Sequence, residues 1–137
     1  MFVIDTNVVS ELRRPAKANA KVLAWAGETA VASLFLSVIT VLELELGASQ
    51  AARKDAKQGA MIRTWIDEHV LPEFDGRILS VDTAVAQRCA RLQVPDPRSE
   101  RDALIAATAL VHGMTVVTRN VRDFERTGVP TFNPWSA

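Results

Sequence analysis

The sequence is short of several residue types on which common chemistries depend. Its one cysteine, Cys89, excludes an internal disulfide and a cysteine-based metal cluster, and agrees with a reducing, cytoplasmic setting. Its two histidines, His69 and His112, stand apart, and His112 beside Gly113 reads as helix-end chemistry rather than as a base. No apolar run approaches the length that spans a bilayer. The start lacks a basic segment followed by an apolar one, so neither a membrane helix nor a signal peptide is expected. Formal net charge is zero, so no global excess of one sign advertises a nucleic-acid partner. There is no G-x-S-x-G elbow and no P-loop.

What is present is a foldable mix. Of 137 residues, 48% are hydrophobic and 23% charged, which suits one globular domain spanning 1–137 with a sizeable core. Residues 2–5 (FVID) read as a short buried strand, followed by a helix from Thr6 to about Leu12 that stops near Pro15. A helix over Ala18–Gly27 puts Val22, Leu23 and Trp25 in the core, and Leu34–Leu36 is a second strand closed by Ser37. The stretch ITVLELELG fits strand or helix; its continuation into Ala-rich sequence favours helix. A further helix is expected over about Ala52–Val70, then a turn at Asp75-Gly76 and a third strand over Arg77–Val81. Asp82 caps a helix to about Leu92, VPDPRS is a loop, and residues 100–112 form a helix ending at Gly113. Strands at Thr115–Thr118 and Val129–Phe132, with a helical turn at Val121–Glu125, complete the reading. Strand–helix alternation predicts a three-layer α/β/α sandwich around a mostly parallel sheet.

In such folds ligands bind beyond the carboxyl ends of the strands. Asp5 ends the first strand, Glu43 lies on the helix after the second, Asp102 opens the helix before the fourth, and Asn120 and Asp123 follow the fourth. Helix capping is the competing explanation for each. Thr40-x-x-Glu43, Ser99-x-x-Asp102 and Asn120-x-x-Asp123 resemble capping boxes, and Asp5 stands where a cap for the first helix belongs. Two features weigh against caps. A helix beginning at Ser37 puts Glu43 in its second turn, where no N–H groups are free. Asp5 is also followed by Thr6 and Asn7, so several side-chain oxygens share one tight turn. Oxygen donors without histidine or thiolate suit a hard cation, Mg²⁺ or Mn²⁺. Basic groups at Arg13, Arg14, Lys17 and Lys21, at Arg53, Lys54 and Lys57, and at Arg119, Arg122 and Arg126 read first as solvated faces. Trp25, Trp65 and Trp135 read as core or interface.

Four blocks, FVIDTNVVSEL, LSVITVLELELG, RDALIAATALVHGMTVVTRNVRDFE and VPTFNPW, together and in this order resemble PIN-domain proteins. Within that family the nearest likeness is to the VapC-type ribonuclease toxins of bacterial toxin–antitoxin modules, including the FitB-like members. The resemblance implies a Mg²⁺- or Mn²⁺-dependent endoribonuclease that hydrolyses RNA with metal-activated water. It implies that Asp5, Glu43 and Asp102 are the metal-binding and catalytic acids, with Thr6, Asn7 and Thr118 as supporting groups. The family often has an acid just after the fourth strand; here Asn120 stands there and Asp123 is the next acid, so both are carried over. Whether one ion or two bind stays open. A homodimer and a small DNA-binding antitoxin partner are also implied. Two other readings remain: a phosphatase of the haloacid dehalogenase type with Asp5 as nucleophile, and a weakly catalytic module acting through its DNA-binding partner. The first is weakened by Asn7, where that type has a second Asp.

Overall fold

The computed structural model describes residues 1–137. Five parallel strands form one sheet in the order β3-β2-β1-β4-β5. They are β1 (Phe2–Ile4), β2 (Leu34–Ser37), β3 (Ile78–Leu79), β4 (Thr115–Val117) and β5 (Thr131–Phe132). Helices α1 (Thr6–Glu11), α2 (Ala20–Glu28), α3 (Val38–Lys54), α4 (Ala56–Trp65), α5 (Leu71–Glu73), α6 (Thr83–Leu92) and α7 (Glu100–His112) flank it. None is long and apolar enough to cross a membrane.

Alternation along the strands divides the core in two. Ile4, Leu34, Leu36 and Val117 face one layer, where they pack with Val8, Val22, Leu44, Ile66 and Phe74 from the first helices. Val3 and Val116 face the other, against Ile105, Ala106 and Ala109 of α7. A satellite of Val85, Cys89, Ala103 and Ala107 fastens α6 to α7. The α/β/α sandwich expected from strand–helix alternation is therefore the one observed.

Three boundaries differ from the sequence reading. The helix expected over Ala52–Val70 is divided: α3 runs to Lys54, and Asp55 adopts an extended backbone (φ −153°, ψ 104°). Its carboxylate accepts from the N–H groups of Lys57 and Gln58, so it stops one helix and caps the next. Winding also passes beyond Val70, through a wide π-type turn at Ile66–Val70 into α5. Pro72, which has no N–H to donate, lies directly after that wide turn in the last residues of the winding. The strands expected at 77–81 and 129–132 shrink to two residues each. Both lie at sheet edges, with one neighbour each to pair with.

The close approach of α3 and α4 depends on Gly59. A Cβ there would stand 2.5 Å from the Cα and Cβ of Ala52 and 2.7 Å from its nitrogen. Gly59→Ala gains helix propensity of about 1 kcal/mol, but the contact is with backbone, which cannot rotate away. Thermal unfolding should show a net loss, on the order of 1–3 kcal/mol; an unchanged or higher midpoint would mean the hairpin can open freely.

Candidate active site

Strand order reverses direction about β1, with the crevice between the ends of β1 and β4. The backbone ladder continues one residue past both strands. Asp5 N–H donates to the Val117 carbonyl at 2.9 Å, and Thr118 N–H to that of Phe132 at 2.9 Å. Asp5 and Thr118 thus meet across the crevice as the last fixed positions of their strands.

Asp5 is 7% exposed and fully engaged. Oδ1 accepts from Thr6 N–H at 2.8 Å, which is the helix-cap role. Oδ2 accepts from the Thr118 hydroxyl at 2.8 Å and from the Asn7 amide at 3.2 Å, which no cap requires. Asn7 also donates to Thr118 Oγ1 at 3.3 Å and accepts from Arg119 N–H at 3.1 Å. One amide therefore ties the β1 acid to the loop after β4.

Glu43 is the sixth residue of α3, whose cap is Ser37, accepting from Ile39 N–H at 3.0 Å. Helix-end chemistry has no use for an acid there. Instead Glu43 Oε1 accepts from the Thr6 hydroxyl at 2.7 Å, with the Thr40 hydroxyl 3.2 Å from that of Thr6. Its other oxygen faces Arg101 at 3.7 Å. Asp102 lies in the first turn of α7, where Ser99 accepts from its N–H at 3.5 Å. Of the capping box only this half is made; burial raises the Asp102 carboxyl, and Ser99 also acts on it, lowering it.

Like charge links several of these acids. Burial pushes the Asp5 carboxyl above the usual carboxylate range. Hydrogen bonds from Thr118 and Thr6 oppose this, and the charges of Glu43 and Asp123 reinforce it. Asp102 is pushed up to about 6, first by burial and then by Asp123, Asp5 and Glu43. Asp123 therefore acts on both. Asn120 is exposed; its N–H donates to Thr118 Oγ1 at 3.0 Å, and its side chain caps nothing. Both candidates after β4 are exposed; Asp123 raises Asp5 and Asp102 through its charge, while Asn120 lends its N–H to Thr118.

No three acids, histidines or cysteines are gathered around one point. The donor set fits a hard divalent cation: it is carboxylate-rich, contains no sulfur or imidazole, and is already strained by like charge. Two contributors escaped the sequence reading. Thr40 enters that reading only within a possible capping box, although it lies on the same helical face as Glu43 three residues on. Arg101 adjoins Asp102 but reaches Glu43.

A parallel α/β/α domain with a buried acid at the carboxyl end of its first strand, beside the β1–β4 crevice, is the class that fold and site define. The chain belongs to the PIN domain family, whose model matches residues 2–130. It is similar to the VapC ribonuclease Y4jK of Sinorhizobium fredii, 38% identical over 140 residues and 98% of each chain. It is also similar to Toxin FitB of Neisseria gonorrhoeae, 37% identical over 140 residues, covering 98% of this chain and 99% of the relative. Among solved structures, a chain of FitAB bound to the IR36 DNA fragment superposes with a TM-score of 0.88 at 36% identity, covering 98% of this chain and 96% of that one.

Proposed function

We propose that this protein is an endoribonuclease, the toxin of a toxin–antitoxin module, cutting RNA phosphodiesters at the β1–β4 crevice. The observation that carries the reading is geometric: Asp5 is tied through Thr118 and Asn7 to the loop after β4, and its neighbour Thr6 is bonded to Glu43 on α3, with like charge raising both Asp5 and Asp102. Full-length similarity to a ribonuclease and a toxin supports it.

Asp5, Asp102 and Glu43 are the residues that would hold Mg²⁺ or Mn²⁺, with Asp123 at the rim. When bound, such a cation supplies charge neutralisation at the phosphate and acidification of water. Thr118 and Asn7 fix the direction of the Asp5 carboxylate. Thr6 fixes Glu43 through Oε1, leaving Oε2 turned toward Arg101 and able to take a proton from an attacking water. Asp5 is poorly suited to the phosphatase reading, because both its oxygens already accept hydrogen bonds that quench nucleophilicity.

By analogy with FitAB on DNA, the proposed partner is a small DNA-binding antitoxin. A second copy of this chain is also proposed, covering the exposed Val38, Leu42 and Leu46 that recur every four residues along α3. A cytoplasmic location follows from an RNA substrate and the free Cys89. The test is cleavage of a structured RNA by purified protein with Mg²⁺ or Mn²⁺, together with growth arrest on expression that the co-expressed antitoxin relieves. Absence of both cleavage and arrest with correctly folded protein would overturn the proposal.

A further inference from the structure

The loop after β4 carries more than Asp123. Arg119 is exposed, and its guanidinium lies over the Trp135 ring, 5.2 Å from the ring centre. Its main chain is fixed on both sides. The N–H donates to Asn7 Oδ1 at 3.1 Å, and the carbonyl accepts from Asn133 Nδ2 at 3.4 Å. Trp135 is held in turn, its N–H donating to Asn133 Oδ1 at 2.9 Å. The Arg119 main chain is thus joined through Asn7 to the Asp5 carboxylate, and its guanidinium rests on the held Trp135 ring.

Beside it, Arg119, Asn120, Val121, Arg122 and Asp123 line an open depression of about 550 Å³. It shares Asp123 with the acidic crevice. It also offers two cations and, in Asn120, a side-chain amide that caps nothing.

We propose that this depression and the Arg119–Trp135 platform bind the nucleotide next to the scissile phosphate of single-stranded RNA. Arg119 and Arg122 take its phosphate, the base stacks on the guanidinium plane, and Asn120 meets the base edge. Unpaired bases stack on arginine and aromatic planes, and their exposed edges are read by amides. An acidic peptide would use the two cations but has no need of the plane. The inference rests on the ribonuclease reading and assigns Asn120 to substrate contact.

Binding separates the two ideas. A fluorescent single-stranded RNA decamer is titrated into Asp5→Asn protein, where the RNA survives whatever the cleavage activity. Adding Arg119→Ala should weaken binding on the order of tenfold and reduce the log–log salt slope by about 0.7. Both main-chain bonds at this position survive the substitution, so the loop keeps its frame. Arg119→Lys should restore the salt slope but only part of the affinity, because the charge returns without the plane. In otherwise wild-type protein, Arg119→Ala should raise KM and leave kcat within about twofold of the parent. Unchanged affinity in Arg119→Ala, or full rescue by lysine, overturns the platform. So does an acidic decapeptide whose binding, unlike that of RNA, depends on Arg119. If wild-type protein cleaves no RNA while the binding pattern holds, the ribonuclease reading fails and the nucleotide subsite stands.

Discussion

Asp5→Asn is expected to reduce RNA cleavage to the level of a protein-free blank while shifting the thermal midpoint by no more than a few degrees. The substitution keeps the size of the side chain and removes its charge. Oδ1 can still accept from Thr6 N–H, but the new amide meets a Thr118 oxygen that already accepts from Asn7 and from Asn120 N–H. The Asn7 amide, which donates to Oδ2, would also face another donor. These lost bonds cost on the order of 1–3 kcal/mol. Against them stands the removal of a charge that is buried and repelled by Glu43 and Asp123. The two effects oppose, so stability should hardly move, whereas the loss of an anionic oxygen at the centre of the crevice is uncompensated. Asp102→Asn should be equally inactive, and parallel preparations of both guard against contaminating nuclease. Full activity in either variant would show that the acids are structural and that the chemistry lies elsewhere.

Three of the acids were legible because regular structure fixes them. Asp5 follows a β-branched run, and Glu43 sits six residues into a helix that Ser37 visibly starts. Asp102 lies three residues after the Ser99 cap. In each case the position along an element determines the direction of the side chain. The fourth position lacked that support. Asn120 precedes and Asp123 lies within a single short turn over Val121–Phe124, both exposed, and which of them bears on the other acids depends on how the turn sits on α7 and β5. The same limit applies to Asp55. Helix-forming residues surround it, and only its extended backbone reveals that it ends one helix and begins another. Edge-strand lengths were overestimated because a strand's extent depends on its neighbours, which composition does not name. The hydroxyl chain of Thr40, Thr6 and Glu43 joins two elements thirty-odd residues apart, a contact that only the packed sheet creates.

Removal of divalent cation should abolish cleavage and reverse the dependence of stability on pH. Asp102 in the folded chain is pushed up to about 6 from an ordinary value of 3.8. A carboxyl with a raised folded value contributes stability that is fully present below its unfolded value and is lost as pH rises through the folded one. In chelator, therefore, Asp102 should make the protein more stable at pH 5 than at pH 8. The buried Asp5, raised in the same direction, adds to this. Asp102 is partly exposed, so solvent screening leaves its share at about 1 kcal/mol. A cation binds the ionised carboxylates and competes with protons for the same oxygens. At a hundred times its Kd it adds about 2.7 kcal/mol. The increment should be large at pH 8 and small at pH 5, so in Mn²⁺ the protein becomes the more stable at the higher pH. Asp102→Asn separates the contributions: it should raise the cation-free midpoint at pH 8 and remove most of the Mn²⁺ increment. A Mn²⁺ effect of equal size at both pH values, or one that survives Asp102→Asn, would place the ion away from the crevice. A protein whose stability in chelator rises between pH 5 and pH 8 would show that the acids repel one another too weakly to need a cation at all.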